Sequence, residues 1–426
     1  MFILTMIKRS ILLIILATLT GCASHSSRKL NKEWTQDLRK DSFQNQFTGI
    51  MVFDPETQDT LFKSNADKYF IPASNTKIFT FYTSLEYLPE KVPSLKYNYD
   101  QDTLYIRGTG NPAFLHPDFS KQETLEFLNK FRYIKLSTDN FKEQSYGPGW
   151  AWDDYDYGYS AMRSSLPLYG NVVWLLPDHY PDFIPDVFPV YDSLPYSRRA
   201  PKENVYKVQN KRDDTLQIPF IPDTAAIAKI LRKTISGELI MKDQLFMETP
   251  EIFYDQSRDS ILKKMMLESD NFIAEQLLLM SAETVLDTMT TRKIIDHVLN
   301  NSLSGLKQKP RWVDGSGLSR YNLFTPESMV YVLLQLYKKY SFEQLQKFFP
   351  AGGESGTLKN NFKSSTTPYI YAKSGSLSNN YNLSGYLITE SGRVLIFSFM
   401  NNHYREATTT VKYNMEQMFE YLRSNY

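Results

Sequence analysis

The chain has 426 residues, with 48 basic against 47 acidic side chains and a formal net charge of +1. That balance leaves no electrostatic footprint for a nucleic acid. A single cysteine, Cys22, allows no internal disulfide, and the five histidines (His25, His116, His179, His297 and His403) show no metal-ligand spacing.

At the N-terminus, Lys8 and Arg9 precede an apolar run from Ile11 to Leu19. The run is far shorter than the roughly 20 residues needed to span a bilayer, so residues 1–21 read as a signal peptide. It ends in Leu19-Thr20-Gly21-Cys22, which resembles the lipobox of bacterial lipoproteins. The resemblance implies a lipid anchor on Cys22 and an exported, periplasm-facing protein; Ala23 and Ser24 are compatible with outer-membrane sorting. Loss of Lys8 and Arg9 with the leader takes the formal charge from +1 to −1. The roughly 400 remaining residues exceed what one hydrophobic core usually organises, so two or more domains are expected. No later apolar run approaches spanning length.

Residues 22–45 are polar and predict a lipidated tether followed by a first helix. Residues 46–88 read as the first part of a domain that resumes near the other end: Phe47 to Asn65 predicts two short strands around a Pro-containing turn, and a helix opens at Pro72. From about Pro89 to Tyr206 the composition shifts toward Tyr, Trp, Pro and Gly, with strand signals in "TLYIRG" and "NVVWLLP", which predicts a β-rich insertion bounded at 89–240. Helical periodicity returns in "DTAAIAKILRKTISG", "DSILKKMMLESDNFIAEQLLLM" and "PESMVYVLLQLYKKY". Within 241–426, "PYIYAKSGSL", "NYNLSGYLITE" and "RVLIFSFMNNH" predict three strands, the last two joined at Ser391-Gly392. Val411, Met415, Met418, Phe419 and Leu422 then recur at helical spacing and predict a terminal helix packed on that sheet.

Three short motifs carry the chemistry. In "PASNTKIFT", Ser74 and Lys77 are three apart at a helix start, which brings an amine beside a hydroxyl. An unassisted serine hydroxyl is a poor nucleophile at neutral pH and requires an adjacent base; Lys77 serves only if burial or a second cation lowers its pKa. "SDN", Ser269 to Asn271, interrupts a helical region, and "KSG", Lys373 to Gly375, lies on a predicted strand. Ser-x-x-Lys, Ser-Asp-Asn and Lys-Thr-Gly in that order mark serine acyltransferases that act on β-lactams and cell-wall peptides, and here Ser374 stands for the threonine.

Taken singly, each motif has a bland reading: a solvated lysine, a helix cap at Ser269, a strand-to-turn lysine. Their joint occurrence in order, each on the expected local structure, favours a catalytic set. Ser269 can pass a proton to the departing amine, and the Asn271 amide can orient Lys77. Lys373 and Ser374 offer charge and a hydroxyl to a substrate carboxylate, and Gly375 permits close approach. The backbone amides of Ser74 and Ser376 suit an oxyanion.

With these motifs the chain resembles the class C low-molecular-mass penicillin-binding proteins, the D-alanyl-D-alanine carboxypeptidases and endopeptidases. "WVDGSGLSRYNLFTP", "GGESGTLKNNF", "RGTGNP" and "GPGWAWDD" share that likeness, which covers most of residues 45 to 405. It implies an α+β, β-lactamase/transpeptidase-like fold: an antiparallel sheet between helical layers, built from the two ends of the chain, with inserted domain material between the first two motifs. It further implies peptidoglycan stem peptides as substrate, β-lactams as covalent ligands, and no cofactor.

"DGSGLSRYN" lacks the glycine two before serine that a nucleophile elbow needs, so Ser316 is assigned a structural role. Asp153, Asp154 and Asp156, without supporting ligands, read as a loop or a domain interface rather than a metal site. Two alternatives stay open: a β-lactamase or esterase with the same serine apparatus, and an unreactive cell-wall-binding lipoprotein.

Overall fold

The strands Asn380–Ile388 and Val394–Asn402 are buried along nearly their whole length, and the sheet face that carries Leu383, Phe397 and Phe399 needs a cover. In the computed structural model, which describes residues 30–177, 182–193, 195, 198–207, 213–245 and 248–426, the cover is the C-terminal helix. The chain divides into two compact units, one running to Phe70 and including Phe324–Phe342 and Pro350–Tyr426, the other comprising Ile71–Leu323 and Glu343–Phe349.

The first unit holds a five-stranded antiparallel sheet in the order Ile370–Leu377, Asn380–Ile388, Val394–Asn402, Phe47–Asp54, Asp59–Ser64. The sheet is thus assembled from both ends of the chain, as expected, with Phe47 opposite Asn402 at one end of the closing pair. On one face, Leu383, Leu387, Phe397 and Phe399 pack with Val411, Met415 and Phe419 of the helix Thr408–Asn425. The Phe397 and Phe419 rings stand 4.6 Å apart. Burying each such side chain contributes about 1.5–3 kcal/mol. Leu30, Trp34 and Phe43 are buried in the same core.

Tyr386 points to the other face, where its hydroxyl donates to Leu333 O of the helix Pro326–Lys339 at 2.9 Å. Thr325 caps that helix by accepting from Ser328 N, and Pro326 opens it without forfeiting a needed donor. The sheet therefore lies between helical layers.

The second unit contains a five-stranded mixed sheet, Glu238–Met241, Tyr133–Ser137, Thr103–Gly108, Lys91–Asp100 and Glu251–Ser257, and a three-stranded sheet around Val172–Leu175. Both expected strand signals, in 103–108 and 172–175, are strands. Its helices include Lys77–Tyr87, Arg258–Glu268 and Asn271–Leu286. The last is buried over Phe272–Glu283, polar residues included, so those residues must find partners inside. Gln276 does so completely: its amide donates to Gly110 O and Ser164 O and accepts from Ser164 N. Among the described residues no helix is long and apolar enough to cross a membrane, and Cys22 lies outside them.

Candidate active site

Ser74 sits in a 3-10 turn, Ala73–Thr76, that leads into the helix Lys77–Tyr87. Side chains three apart eclipse one another in a 3-10 turn, which aligns Ser74 with Lys77 more directly than an α-helix would. Ala73 has φ 49°, a left-handed conformation unusual for a residue with a Cβ. The turn is braced from below by Gly317, where a Cβ would stand 1.9 Å from Ala73 O. Only glycine fits there, and its φ of +86° lies in the left-handed region that glycine favours.

Lys77 has no exposed surface. Its Nζ donates to Ser74 Oγ at 2.9 Å, Asn271 Oδ1 at 2.6 Å and Ser316 O at 2.8 Å, so each of three ammonium protons has an acceptor. Burial pushes its pKa down from 10.5 to about 8, against the opposing charges of Asp270, Asp314 and Glu275. At pH 7 a lysine of that pKa is neutral about one time in ten, enough to supply a base.

The second motif separates two helices. Ser269 takes the left-handed conformation, φ 61°, directly after Arg258–Glu268, and Asp270 caps the next helix by accepting from Ile273 N at 2.8 Å. The N-cap of the second helix is therefore Asp270 and not Ser269, which instead ends the first helix as its C-cap residue. Asn271 opens the helix with both ends of its amide engaged: Oδ1 accepts from Lys77, and Nδ2 donates to Tyr159 O at 3.0 Å. Ser269 and Asn271 also line a cavity of 210 Å³ with His116, Tyr159 and Trp174. Burial lowers the His116 pKa to about 4, so the ring is neutral at pH 7.

Lys373, Ser374, Gly375 and Ser376 lie in the other unit, on the strand Ile370–Leu377 at one edge of the five-stranded sheet. The start of that edge is covered by Pro350 O and Gly352 N, which bond Ala372 N and Ile370 O. Beyond Ala372 no described strand pairs with it, leaving a place where an extended peptide can add. Lys373 is fully buried and donates to Ser374 O, while Ser374 Oγ lies 2.7 Å from Thr357 Oγ1.

Sequence reasoning missed four contributors. Ser316 supports the loop as expected, its Oγ accepting from Leu318 N, yet its carbonyl also binds Lys77. Asp314 organises that loop by accepting from Gly317 N, Ser319 N, Asn322 Nδ2 and Trp150 Nε1. Glu275 accepts from Ser316 N at 2.8 Å. Thr357 meets Ser374. The blocks "DGSG", "GPGW" and "SGTL" carried the signal, but nothing in a linear pattern says which groups meet. Asp154 accepts from Tyr159 Oη at 2.7 Å, in keeping with a loop role for the acidic run. Among the described residues no group of three or more His, Cys, Asp or Glu is placed to hold a metal.

A serine hydroxyl in contact with a buried lysine of lowered pKa, with an asparagine fixing the amine, is the equipment of a serine–lysine acyl-transfer enzyme. The chain belongs to the D-Ala-D-Ala carboxypeptidase 3 (S13) family, which it matches over residues 30–178 and 229–422. It is similar to the D-alanyl-D-alanine carboxypeptidase DacB of Haemophilus influenzae, 30% identical over 180 residues that cover 39% of this chain and 36% of the relative. In that alignment the chain spans about a third of the relative's length. The D-alanyl-D-alanine carboxypeptidase of Actinomadura sp. (strain R39) is 25% identical over 427 aligned positions, 83% of this chain and 77% of that one. Among solved structures, penicillin binding protein 4 from Haemophilus influenzae covers 92% of this chain and 99% of its own, with a TM-score of 0.72 at 20% identity. That likeness establishes the penicillin-binding, transpeptidase-like fold.

Proposed function

We propose that this chain is a serine D-Ala-D-Ala carboxypeptidase or endopeptidase acting on peptidoglycan stem peptides through an acyl-enzyme on Ser74. The observation that carries the reading is the 2.9 Å contact between Ser74 Oγ and the fully buried Lys77 Nζ. Ser74 Oγ attacks the carbonyl next to the terminal D-alanine, and the Lys77 amine takes the hydroxyl proton. The amide C–N bond then breaks, and the departing amine receives a proton through Ser269. Water hydrolyses the ester, returning the Ser74 hydroxyl and leaving a new carboxylate on the stem peptide.

Asn271 keeps Lys77 pointed at Ser74. Backbone amides of Ser74 and Ser376 hold the oxyanion, and Lys373 with Ser374 recognises the substrate carboxylate beside Gly375. A β-lactam follows the first half of this path, but its leaving group stays tethered, so the acyl-enzyme persists. We further propose that residues 89–240 are an inserted β-rich part between the transpeptidase-like segments 46–88 and 241–426. Residues 1–21 act as a leader, 22–45 begin with a lipid anchor on Cys22, and the enzyme faces the periplasm.

Intact mass after incubation with benzylpenicillin tests this, using the soluble form that starts just after Cys22 beside its Ser74→Ala variant. A long-lived adduct of one drug molecule in the parent only is expected. Rapid drug turnover would favour a β-lactamase, and a folded protein with neither adduct nor turnover would favour the unreactive wall-binding alternative.

A further inference from the structure

Glu275 is a fully buried carboxylate one peptide unit away from the base. Its Oε1 accepts from Ser316 N at 2.8 Å, and the carbonyl of that same Ser316 accepts from Lys77 Nζ at 2.8 Å. The link is tightly built on both sides. Thr80 Oγ1 donates to Gly315 O at 2.7 Å, and a Cβ at position 315 would stand 2.4 Å from Ala274 O, so the loop is clamped between two helices.

The other carboxylate oxygen, Oε2, has no hydrogen bond and lies 3.7 Å from Arg163 Nη1. That guanidinium is engaged elsewhere, by Glu143 at 3.1 Å, Thr291 Oγ1, Gln144 O and Tyr146 O. A buried carboxylate with half its acceptor capacity unused is costly to keep unless its charge has a use. Burial and the nearby Asp314 push its pKa up to about 7, with Arg163 and the Ser316 amide opposing.

We infer that Glu275 is a positioning residue that, by holding the backbone of Ser316, fixes that residue's carbonyl on Lys77 and, by its buried negative charge, sets the pH at which Lys77 gives up its proton. The Ser316 N–H and the Ser316 carbonyl belong to successive peptides, so Glu275 acts on that carbonyl by holding the loop in place and on Lys77 by its buried negative charge. Both strengthen the hold on the ammonium. Within this unit Lys77 faces Asp270, Asp314 and Glu275, all anionic when ionised, which oppose the effect of burial. Glu275 reaches the Lys77 acceptor from a neighbouring helix, through Ser316 N, whereas Asp314 holds the same loop from within, by accepting from Gly317 N, Ser319 N and Asn322 Nδ2, and from Trp150 Nε1. The inference rests on the reading of Lys77 as base, but its primary readout does not.

The test uses the full chain in detergent, with lysines labelled at the ε-carbon and Lys77 assigned by comparison with Lys77→Arg. The Lys77 resonance is titrated in the parent and in Glu275→Gln, which keeps the size and the acceptor for Ser316 N while removing the charge. Its midpoint should fall by about half a pH unit or more. The rate of Ser74 acylation by benzylpenicillin should move to lower pH by the same amount. Glu275→Leu, which removes the acceptor as well, should slow acylation by about tenfold, with Glu275→Gln restoring most of the rate. An unmoved Lys77 midpoint in Glu275→Gln overturns the inference, whether or not Glu275→Leu folds. A parent that titrates as expected but is never acylated overturns the acyl-transfer reading and leaves the inference standing.

Discussion

In the Ser74 cluster the lysine has no exposed surface and three acceptors around its ammonium, whereas along the strand Ile370–Leu377 burial fades from Lys373, fully buried, to Ser376, exposed. The two regions use the same residue types to opposite ends. Chemistry requires a lysine that can lose a proton, and burial lowers Lys77 to about 8. The proposed recognition of a carboxylate asks instead for a cation and open backbone groups at an edge, and Lys373 lies on a strand with a described partner strand on one side only. One region is therefore closed by its own hydrogen bonds, and the other is left for a ligand to complete.

The largest effect should come from breaking the closed region. Lys77→Ala should reduce acylation by benzylpenicillin at least about a thousandfold, with the folded state retained by circular dichroism. In the parent, the acylation rate should climb with pH as Lys77 loses its proton toward pH 8 and level off above it. A parent rate independent of pH from 6 to 9 would show that Lys77 is not the titrating base. Lys373→Ala strikes the open region and should act differently. It should raise KM for a peptide ending in D-Ala-D-Ala and lower kcat/KM by about a hundredfold, while a peptide with an amidated C-terminus loses much less. Equal losses on both peptides would detach Lys373 from carboxylate recognition.

The two regions also differ in how far they could be read from sequence. The sheet of the first unit was legible because its strands are short apolar runs bounded by turn residues and its terminal helix repeats Val411, Met415, Phe419 and Leu422 on one face. That Ser74, Lys77 and Asn271 meet was legible because Ser-x-x-Lys and Ser-Asp-Asn stand in the chain as short motifs of fixed residue type and spacing. What stayed hidden depended on which groups meet in three dimensions. Ser316 looked structural because its side chain is, while its carbonyl carries the contact to Lys77. A backbone acceptor leaves no mark on residue identity. Glu275 was hidden inside an apolar helix whose pattern gives no sign that one carboxylate points at a loop.

The smallest effect concerns Thr357 and the serine at position 374. A threonine in place of Ser374 would have its χ1 restricted by the extra methyl, whereas serine turns freely among three rotamers. In this chain the Thr357 hydroxyl, 2.7 Å away, supplies the restraint from the side, and both residues belong to the same unit. Thr357→Val keeps the shape and deletes the partner. A single neutral hydrogen bond is worth about 1 kcal/mol, so kcat/KM for the D-Ala-D-Ala peptide should fall by only about fivefold. Combined with Ser374→Thr, the same change should cost less, since the methyl then does the work of the lost bond. Thr357→Val measured in both backgrounds forms a double-mutant cycle that isolates this coupling. An undiminished loss in the Ser374→Thr background would mean that Thr357 acts on the substrate side of the strand rather than by holding the hydroxyl of Ser374.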